Sequence, residues 1–236
     1  MTSLTVAPGV VEAFGGLRIV AITASGIDNR SAWPEVSARL DDIERAVADG
    51  RWTPLGDDHP AIASWHAAYR HFGTNPRRQR PSVDALTRRL ARTGHLPRIS
   101  SAVDSYNLVS VTHAVPAGAF DLDRVEGHIT IRFAEDGDRF VPLGEPDAVE
   151  QPHPGEVVYV DDAGVLTRHW NHRDADRTKV TPASRRVLFV LEAVDAAYHA
   201  AVSAAADELS TLLRPHAEAV TAEILDAASA AAHLGT

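Results

Sequence analysis

A short segment, residues 168–179, gathers cationic, imidazole, amide and carboxylate side chains in the sequence RHWNHRDADRTK. It follows a predicted strand, and loops after strands often carry catalytic and binding groups. Asp176 could orient a water molecule or bind an ammonium group, while Arg173 and Lys179 could hold a phosphate or a carboxylate. The alternative is a salt-bridged surface turn without a ligand. The segment is therefore the first candidate site.

Two histidines of this segment, His169 and His172, are possible metal ligands. No further histidine or acid stands at a familiar spacing from them, so we predict no metal site and no cofactor. A second polar position is Asn107, which interrupts an otherwise apolar segment. It is either an amide satisfied within the core or a member of the site.

Several enzyme classes are excluded by what the sequence lacks. It contains no Gly-x-Gly-x-x-Gly motif, no P-loop and no Gly-x-Ser-x-Gly elbow. Dinucleotide binding, P-loop phosphoryl transfer and serine hydrolysis on the usual strand–turn–helix therefore have no support. The sequence also has no cysteine, which excludes disulfides, thiolate metal sites, iron–sulfur clusters and thiol nucleophiles.

Charge is distributed unevenly along the chain. The 236 residues carry a formal net charge of −9, which disfavours nucleic-acid binding over the whole surface. Residues 70–98 nevertheless hold eight arginines and a single acid, Asp84, a local charge of +7 with histidine neutral. Such a cluster is either a solvated helix face or a phosphate-binding patch. The candidate RNA contacts are Arg77, Arg78, Arg80, Arg88, Arg89 and Arg92.

Membrane and secretory signals are not apparent in the sequence. No apolar run approaches the roughly 18 residues that a membrane span needs. The opening residues show no basic segment followed by an apolar one, as a signal peptide would. We therefore expect a cytoplasmic location and no membrane partner.

Hydrophobic periodicity predicts the elements that position these side chains. Strands are predicted over residues 17–23, 127–134, 156–160, 165–169 and 186–193. Helices are predicted over residues 31–49, 60–71 and 82–93. Segment 98–112 is either a helix or a helix that breaks into a strand.

Helices both precede and follow the predicted strands, which favours one α/β (α+β) unit with a central mixed β-sheet and flanking helices. We expect a flexible N-terminus over residues 1–15 and a single domain over residues 16–214. Pro215 separates an alanine-rich helix from a last helix, so residues 215–236 are predicted to form a C-terminal helical extension.

A series of short motifs runs in order from residue 69 to about residue 192. They are YRHFGTNP (69–76), RPS (80–82), VDSYNLVS (103–110), GAFDLD (118–123), GEVVY (155–159) and the loop RHWNHRDADRTKVT (168–181). In this order they resemble the B3/B4 domain, the editing module of the phenylalanyl-tRNA synthetase beta chain, and especially its free-standing relatives.

The resemblance implies a B3/B4-like fold with a pocket between two structural halves. That pocket would accept the aminoacyl end of a transfer RNA and hydrolyse the ester of a wrongly attached amino acid. Transfer RNA is then the expected partner, and DNA is not. The synthetase's catalytic module has no counterpart in these motifs, so the expected action is in trans.

The resemblance also implies roles for individual residues. Asp176 is similar in position to an acidic residue that reads the substrate ammonium, and it is assigned with Asn107 to catalysis. The assigned substrate-binding residues are Arg173, Lys179, Asn171 and Gly118. Gly118 stands where the synthetase pattern has a histidine.

Two other functions stay open at this point. The chain could be a non-catalytic module that binds RNA or a free amino acid and has kept the fold without the chemistry. It could also be a hydrolase of another small amide or ester.

Overall fold

The computed structural model describes residues 2–235. Two long apolar segments form the centre of a four-stranded antiparallel sheet with the order β3-β8-β2-β9. Its strands are β2 (Arg18–Ser25), β3 (Ala117–Asp121), β8 (Arg186–Ala193) and β9 (Ala219–Asp226). The predicted strands at residues 17–23 and 186–193 are thereby confirmed.

A second sheet contains six strands in the order β10-β1-β4-β5-β6-β7. These are β1 (Ser3–Val6), β4 (Ile129–Phe133), β5 (Val157–Asp161), β6 (Gly164–Arg168), β7 (Arg173–Asp174) and β10 (Ala231–His233). β1 pairs parallel with β4, and the other pairs are antiparallel.

The four-stranded sheet is buried on both faces, which explains the continuous apolar runs of its central strands. Val20 and Ile22 of β2 belong to a core shared with helices, whereas Ile19 belongs to a core shared with the second sheet. In β8, Phe189 and Leu188 divide between the two cores in the same way. Alternation along each strand therefore builds three layers: helices, the four-stranded sheet and the six-stranded sheet.

Six α-helices accompany the sheets in the described residues. They are α1 (Pro8–Ala13), α2 (Pro34–Ala48), α3 (Pro60–His71), α4 (Ser82–Thr93), α5 (Ser101–His113) and α6 (His199–Leu213). Segment 98–112, for which two alternatives were open, is the helix α5. None of the helices in residues 2–235 has the length and apolar character required of a bilayer-spanning segment.

Three sequence-based expectations differ from the structure, although the α/β class is confirmed. The strands form two sheets and not one central sheet. Within residues 1–15, which were expected to be flexible, Leu4 of β1 is fully buried between β4 and β10. Residues 219–226, predicted as helix, form β9 along the whole edge of β2. Backbone pairing at that edge outweighs the helix propensity of the alanine-rich sequence.

Candidate functional site

A cavity of about 260 Å³ lies between helices α4 and α5 and strands of both sheets. This volume is below the roughly 300–1,000 Å³ of a typical small-molecule site, so it suits a group as small as one amino acid. Its apolar and aromatic wall includes Leu86, Tyr106, Phe120, Tyr159, Trp170 and Val190, and its polar wall includes Asn107, Thr167, Asn171, His172, Asp174 and Glu192. We call it the carboxyl cavity, after Asp174 and Glu192.

Glu192 of β8 is almost completely buried in the wall of this cavity. Its carboxylate accepts hydrogen bonds from the Tyr159 hydroxyl, from Trp170 Nε1 at 2.9 Å and from Asn171 Nδ2 at 2.8 Å. Burial raises the pKa of Glu192, and the charge of Asp174 adds a smaller increase. The three hydrogen bonds oppose the shift, and the resulting pKa is about 7. At neutral pH the side chain therefore exchanges readily between its charged and neutral forms.

Asp174, the last residue of β7, lines the same cavity. Thr167 Oγ1 donates to its carboxylate at 2.8 Å. Burial raises the pKa of Asp174 to about 6, a shift that the Thr167 bond partly opposes. Neither Asp174 nor Glu192 forms an ion pair with a residue in the described range 2–235. The cavity thus holds two acidic groups that have no ion-pair partner among the described residues, and Arg89, the one arginine of its lining, pairs with neither.

The turn between β6 and β7 brings the aromatic and amide groups to this site. His169 and Trp170 have φ angles of 47° and 65°, in the left-handed region that non-glycine residues rarely adopt. This conformation buries the Trp170 ring completely. It also lets Asn171 bridge two elements, because its Oδ1 accepts from the Tyr69 hydroxyl at 2.8 Å while its Nδ2 donates to Glu192.

Comparison with known families identifies this arrangement. Residues 64–230 match the family model of the B3/4 domain, which includes every strand and helix that lines the cavity. The chain belongs to the B3/4 domain family.

Curated relatives of this B3/4 domain are phenylalanine–tRNA ligase beta subunits. The protein from Chromobacterium violaceum is 32% identical over 155 residues, which cover 64% of this chain and 19% of that protein. The protein from Fusobacterium nucleatum is 40% identical over 81 residues, 34% of this chain and 10% of that protein. The chain therefore spans about a fifth or less of the relatives it matches.

Among solved structures, an N-terminal fragment of the phenylalanyl-tRNA synthetase beta-subunit from Pyrococcus horikoshii aligns with this B3/4 domain. The sequence identity is 15% and the TM-score is 0.46, with 94% of this chain and 49% of that chain covered.

Five of the residues named from the sequence line the carboxyl cavity of the B3/4 domain: Asn107, Gly118, Asn171, Arg89 and His172. The Asn107 residue is only 9% exposed. Within residues 2–235 its amide forms no hydrogen bond with a side chain or backbone group, and its polar atoms are not buried. Asn107 is therefore not a satisfied core amide, and its polar atoms face the cavity.

Three further candidates lie outside the cavity: Asp176, Arg173 and Lys179. Lys179 Nζ and the Gly144 amide donate to Asp176 at 2.8 and 3.0 Å, so this carboxylate belongs to a surface turn. Arg173 binds Glu145 and Glu150. Arg173 lies outside the cavity because successive side chains of a strand point to opposite faces, so that Asp174 faces the cavity and Arg173 the other side. These three residues therefore do not line the carboxyl cavity with Asn107, and their predicted roles stay predictions.

The arginine cluster of the B3/4 domain divides into two groups. Arg80 and Arg88 bind the buried carboxylate of Asp84 at 2.8 and 2.6 Å, and Asp57 lies beside both guanidinium groups. These two arginines are neutralised within the fold. The arginines of the second group are exposed and have no ion pair in the described part of the chain; they are Arg77, Arg78, Arg89 and Arg92.

Sequence reasoning missed Asp174 and Glu192, which carry the charge of the site. A signal for Glu192 was present, since it is an acid near the end of the apolar run RVLFVLEA. A carboxylate in a strand buried on both faces requires partners or a function. Asp174 lay inside the candidate segment, two residues from Asp176, but its direction depends on where β7 ends.

Proposed function

We propose that this B3/4 domain hydrolyses, in trans, the ester bond of wrongly charged aminoacyl-tRNA. The observation that carries the proposal is the pair of acidic side chains, Asp174 and Glu192, in a cavity the size of one amino acid. An α-ammonium group is a cation that could pair with these two carboxylates, which no side chain of the described residues does. The phenylalanine–tRNA ligase beta subunits related to this chain bear names that join an amino acid and tRNA, which supports the same substrate class.

Charge favours an ester over a free amino acid as the ligand. A free amino acid would bring its own carboxylate close to Asp174 and Glu192, and like charges in a partly desolvated cavity repel each other. Arg89, the one arginine of the lining, is itself exposed. An aminoacyl ester carries the ammonium group without that carboxylate. Its carbonyl oxygen could accept a hydrogen bond from Asn107, whose amide is free of other partners among the described residues.

The exposed arginines support an RNA partner. Arg89 lines the carboxyl cavity and is itself exposed, and Arg92 follows it on α4. Arg77 and Arg78 lie in the loop before that helix. Guanidinium groups that no acid neutralises are suited to phosphate contacts. An RNA strand bound along this face would reach the cavity at Arg89.

The second candidate is a binding module that has lost the chemistry. It is favoured by Gly118, which lines the carboxyl cavity and presents no side chain where the synthetase pattern has a histidine. A Cβ atom at this position would meet only Val190 Cγ2, at 3.8 Å. The fold therefore accepts a Cβ atom at this position in ordinary van der Waals contact.

A deacylation panel separates the two candidates. Purified protein is incubated with correctly and wrongly charged transfer RNAs, and loss of the ester is followed beside a reaction without protein and a reaction with the Asp174→Asn variant. Fast hydrolysis of one or a few wrongly charged species, reduced in the variant, supports the proposal. No hydrolysis across the panel, with tRNA binding intact, supports the binding module.

A further inference from the structure

A second cavity, of about 530 Å³, adjoins the carboxyl cavity. One residue, His172, lines both. The second cavity is formed by the loop after α3, the loop before β5 and the turn after β6. It contains three imidazole rings, those of His153, His169 and His172, and we call it the histidine cavity.

The polar groups of the histidine cavity suit an anionic ligand. Three arginines and two glutamates line it, so one positive charge remains when the histidines are neutral. Arg168 is held by Glu150 and Glu156. Arg78 is exposed and has no acidic partner within residues 2–235, which leaves its guanidinium available to a phosphate.

The ring of His172 is fixed in one tautomer. Its Nδ1 lies 2.8 Å from the backbone carbonyl oxygen of Arg80, and a carbonyl oxygen can only accept. Nδ1 therefore carries the hydrogen, and Nε2 has the lone pair. Burial lowers the pKa of His172, and the guanidinium groups of Arg173 and Arg168 lower it further. The hydrogen bond to the Arg80 carbonyl and the charge of Glu156 raise it, but they do not cancel the shift. The lowered pKa favours the neutral ring, whose Nε2 can accept a proton.

His169 is not equivalent to His172, although the ring centres are 5.8 Å apart. Its Nδ1 already contacts the Thr74 hydroxyl at 2.8 Å and lies 3.4 Å from Glu156. It lines the histidine cavity only. Of the three imidazoles, His172 is the one that lines both cavities.

We propose that a single ester substrate spans both cavities, with its acyl group in the carboxyl cavity, its terminal nucleotide in the histidine cavity, and His172 Nε2 as the proton acceptor at the bond between them. This inference rests on the proposed function. In this arrangement His172, in the turn after β6, supplies an imidazole group, which position 118 on β3 lacks because it is a glycine.

The step balances as follows. Nε2 takes a proton from a water molecule as the water oxygen attacks the ester carbonyl carbon. The bond between that carbon and the ribose oxygen breaks, and the leaving oxygen takes the proton back from Nε2. The products are a free amino acid and a ribose hydroxyl, and His172 returns to its neutral state.

Nucleotide binding is tested first, without any turnover. Adenosine 5′-monophosphate is titrated into the wild-type protein, the Arg78→Ala variant and an Arg214→Ala control, whose arginine is exposed after α6. The expected result is binding that Arg78→Ala weakens several-fold and Arg214→Ala leaves unchanged. No binding, or equal binding by all three proteins, would overturn the nucleotide site even if the protein hydrolyses charged tRNA.

The role of His172 is tested by single-turnover hydrolysis of a wrongly charged tRNA. His172→Ala should lower the rate at least about 100-fold, and added imidazole should restore part of it, which a merely structural role does not predict. A control, His128→Gln, replaces an exposed imidazole in the loop before β4 and should retain the wild-type rate. An undiminished rate in His172→Ala would overturn the assignment of His172 as the proton acceptor and leave the proposed function standing. A wild-type protein that binds the nucleotide but hydrolyses no charged tRNA overturns the proposed function and the catalytic step, and supports the nucleotide site.

Discussion

Replacement of Glu192 by glutamine separates the charge of this side chain from its hydrogen bonds. Tyr159 and Trp170 donate to Oε1, and Asn171 donates to Oε2. A glutamine has an oxygen at only one of these positions, so its amide group faces at least one donor. Asn171 is not free to rotate, because its Oδ1 accepts from Tyr69. One buried donor without an acceptor costs about 1–3 kcal/mol of stability.

The negative charge of Glu192 has the opposite effect on stability, because removing it favours the variant, and this effect depends on pH. Burial raises the pKa of Glu192 from 4.5 to about 7, so the folded protein binds this proton more tightly than the unfolded chain. The charge therefore costs no stability below about pH 4.5, and the full cost is present above about pH 7. Each pH unit between these two values contributes about 1.4 kcal/mol, so the full cost of the charge is about 3 kcal/mol. Glutamine does not titrate, so the variant avoids it.

Urea unfolding of both proteins, at about pH 4.5 and about pH 8, measures this difference. At the acidic end the Glu192→Gln variant should be less stable by about 1–3 kcal/mol. At the alkaline end the gap should have moved by about 3 kcal/mol in favour of the variant. Other titrating groups occur in both proteins and largely cancel, and Glu12→Gln, at an exposed glutamate of α1, is the control. A gap that stays constant with pH would refute the reasoning.

Three further predictions concern the ligand. Asp174→Asn should lower kcat/KM for deacylation about 10- to 100-fold, because the hydrogen bond to the ammonium loses its negatively charged acceptor. Asp176→Asn, outside the cavity, should stay close to wild type, and the reverse order would restore the assignment made from the sequence. Gly118→His should fold, since its Cβ meets only Val190 Cγ2 at 3.8 Å. Its side chain should partly fill the carboxyl cavity and so raise the hydrolysis rate of alanyl esters relative to phenylalanyl esters. An unchanged ratio of the two rates would contradict the placement of the amino acid in this cavity. The arginine face consists of Arg77, Arg78, Arg89 and Arg92. If it makes four phosphate contacts, a plot of the logarithm of tRNA affinity against the logarithm of salt concentration should have a slope of about −3, and Arg92→Ala should reduce the size of that slope by about 1. An affinity that does not depend on salt would exclude this face as the RNA-binding surface.

The parts of the fold that could be predicted from sequence are those in which local pattern and tertiary environment agree. The apolar runs of β2 and β8 indicated buried strands, and both strands are covered on two faces. The C-terminal segment was mispredicted because alanine favours helix locally, whereas β9 is stabilised by pairing with β2 over eight residue positions. Pairing with a distant strand leaves no local signal in such a sequence.

The sequence indicated a segment that does line the carboxyl cavity, but it did not indicate which side chains of that segment face the cavity. Segment 168–179 does contribute Trp170, Asn171 and Asp174 to the cavity. Which acid of the segment points inward is set by a two-residue strand and by the left-handed turn before it. A shift of one position along a strand exchanges its two faces. That turn cannot be inferred from residue types, because His169 and Trp170 rarely adopt positive φ.

The most direct test of the central claim is the release of amino acid from a wrongly charged tRNA, measured at neutral pH with equal amounts of the wild-type protein and the Asp174→Asn variant. If the carboxyl cavity binds the aminoacyl group for hydrolysis, the wild-type protein releases amino acid well above the rate without protein, and the variant is slowed about 10- to 100-fold. Equal release by the two proteins, or none by either above the spontaneous rate, would contradict the claim.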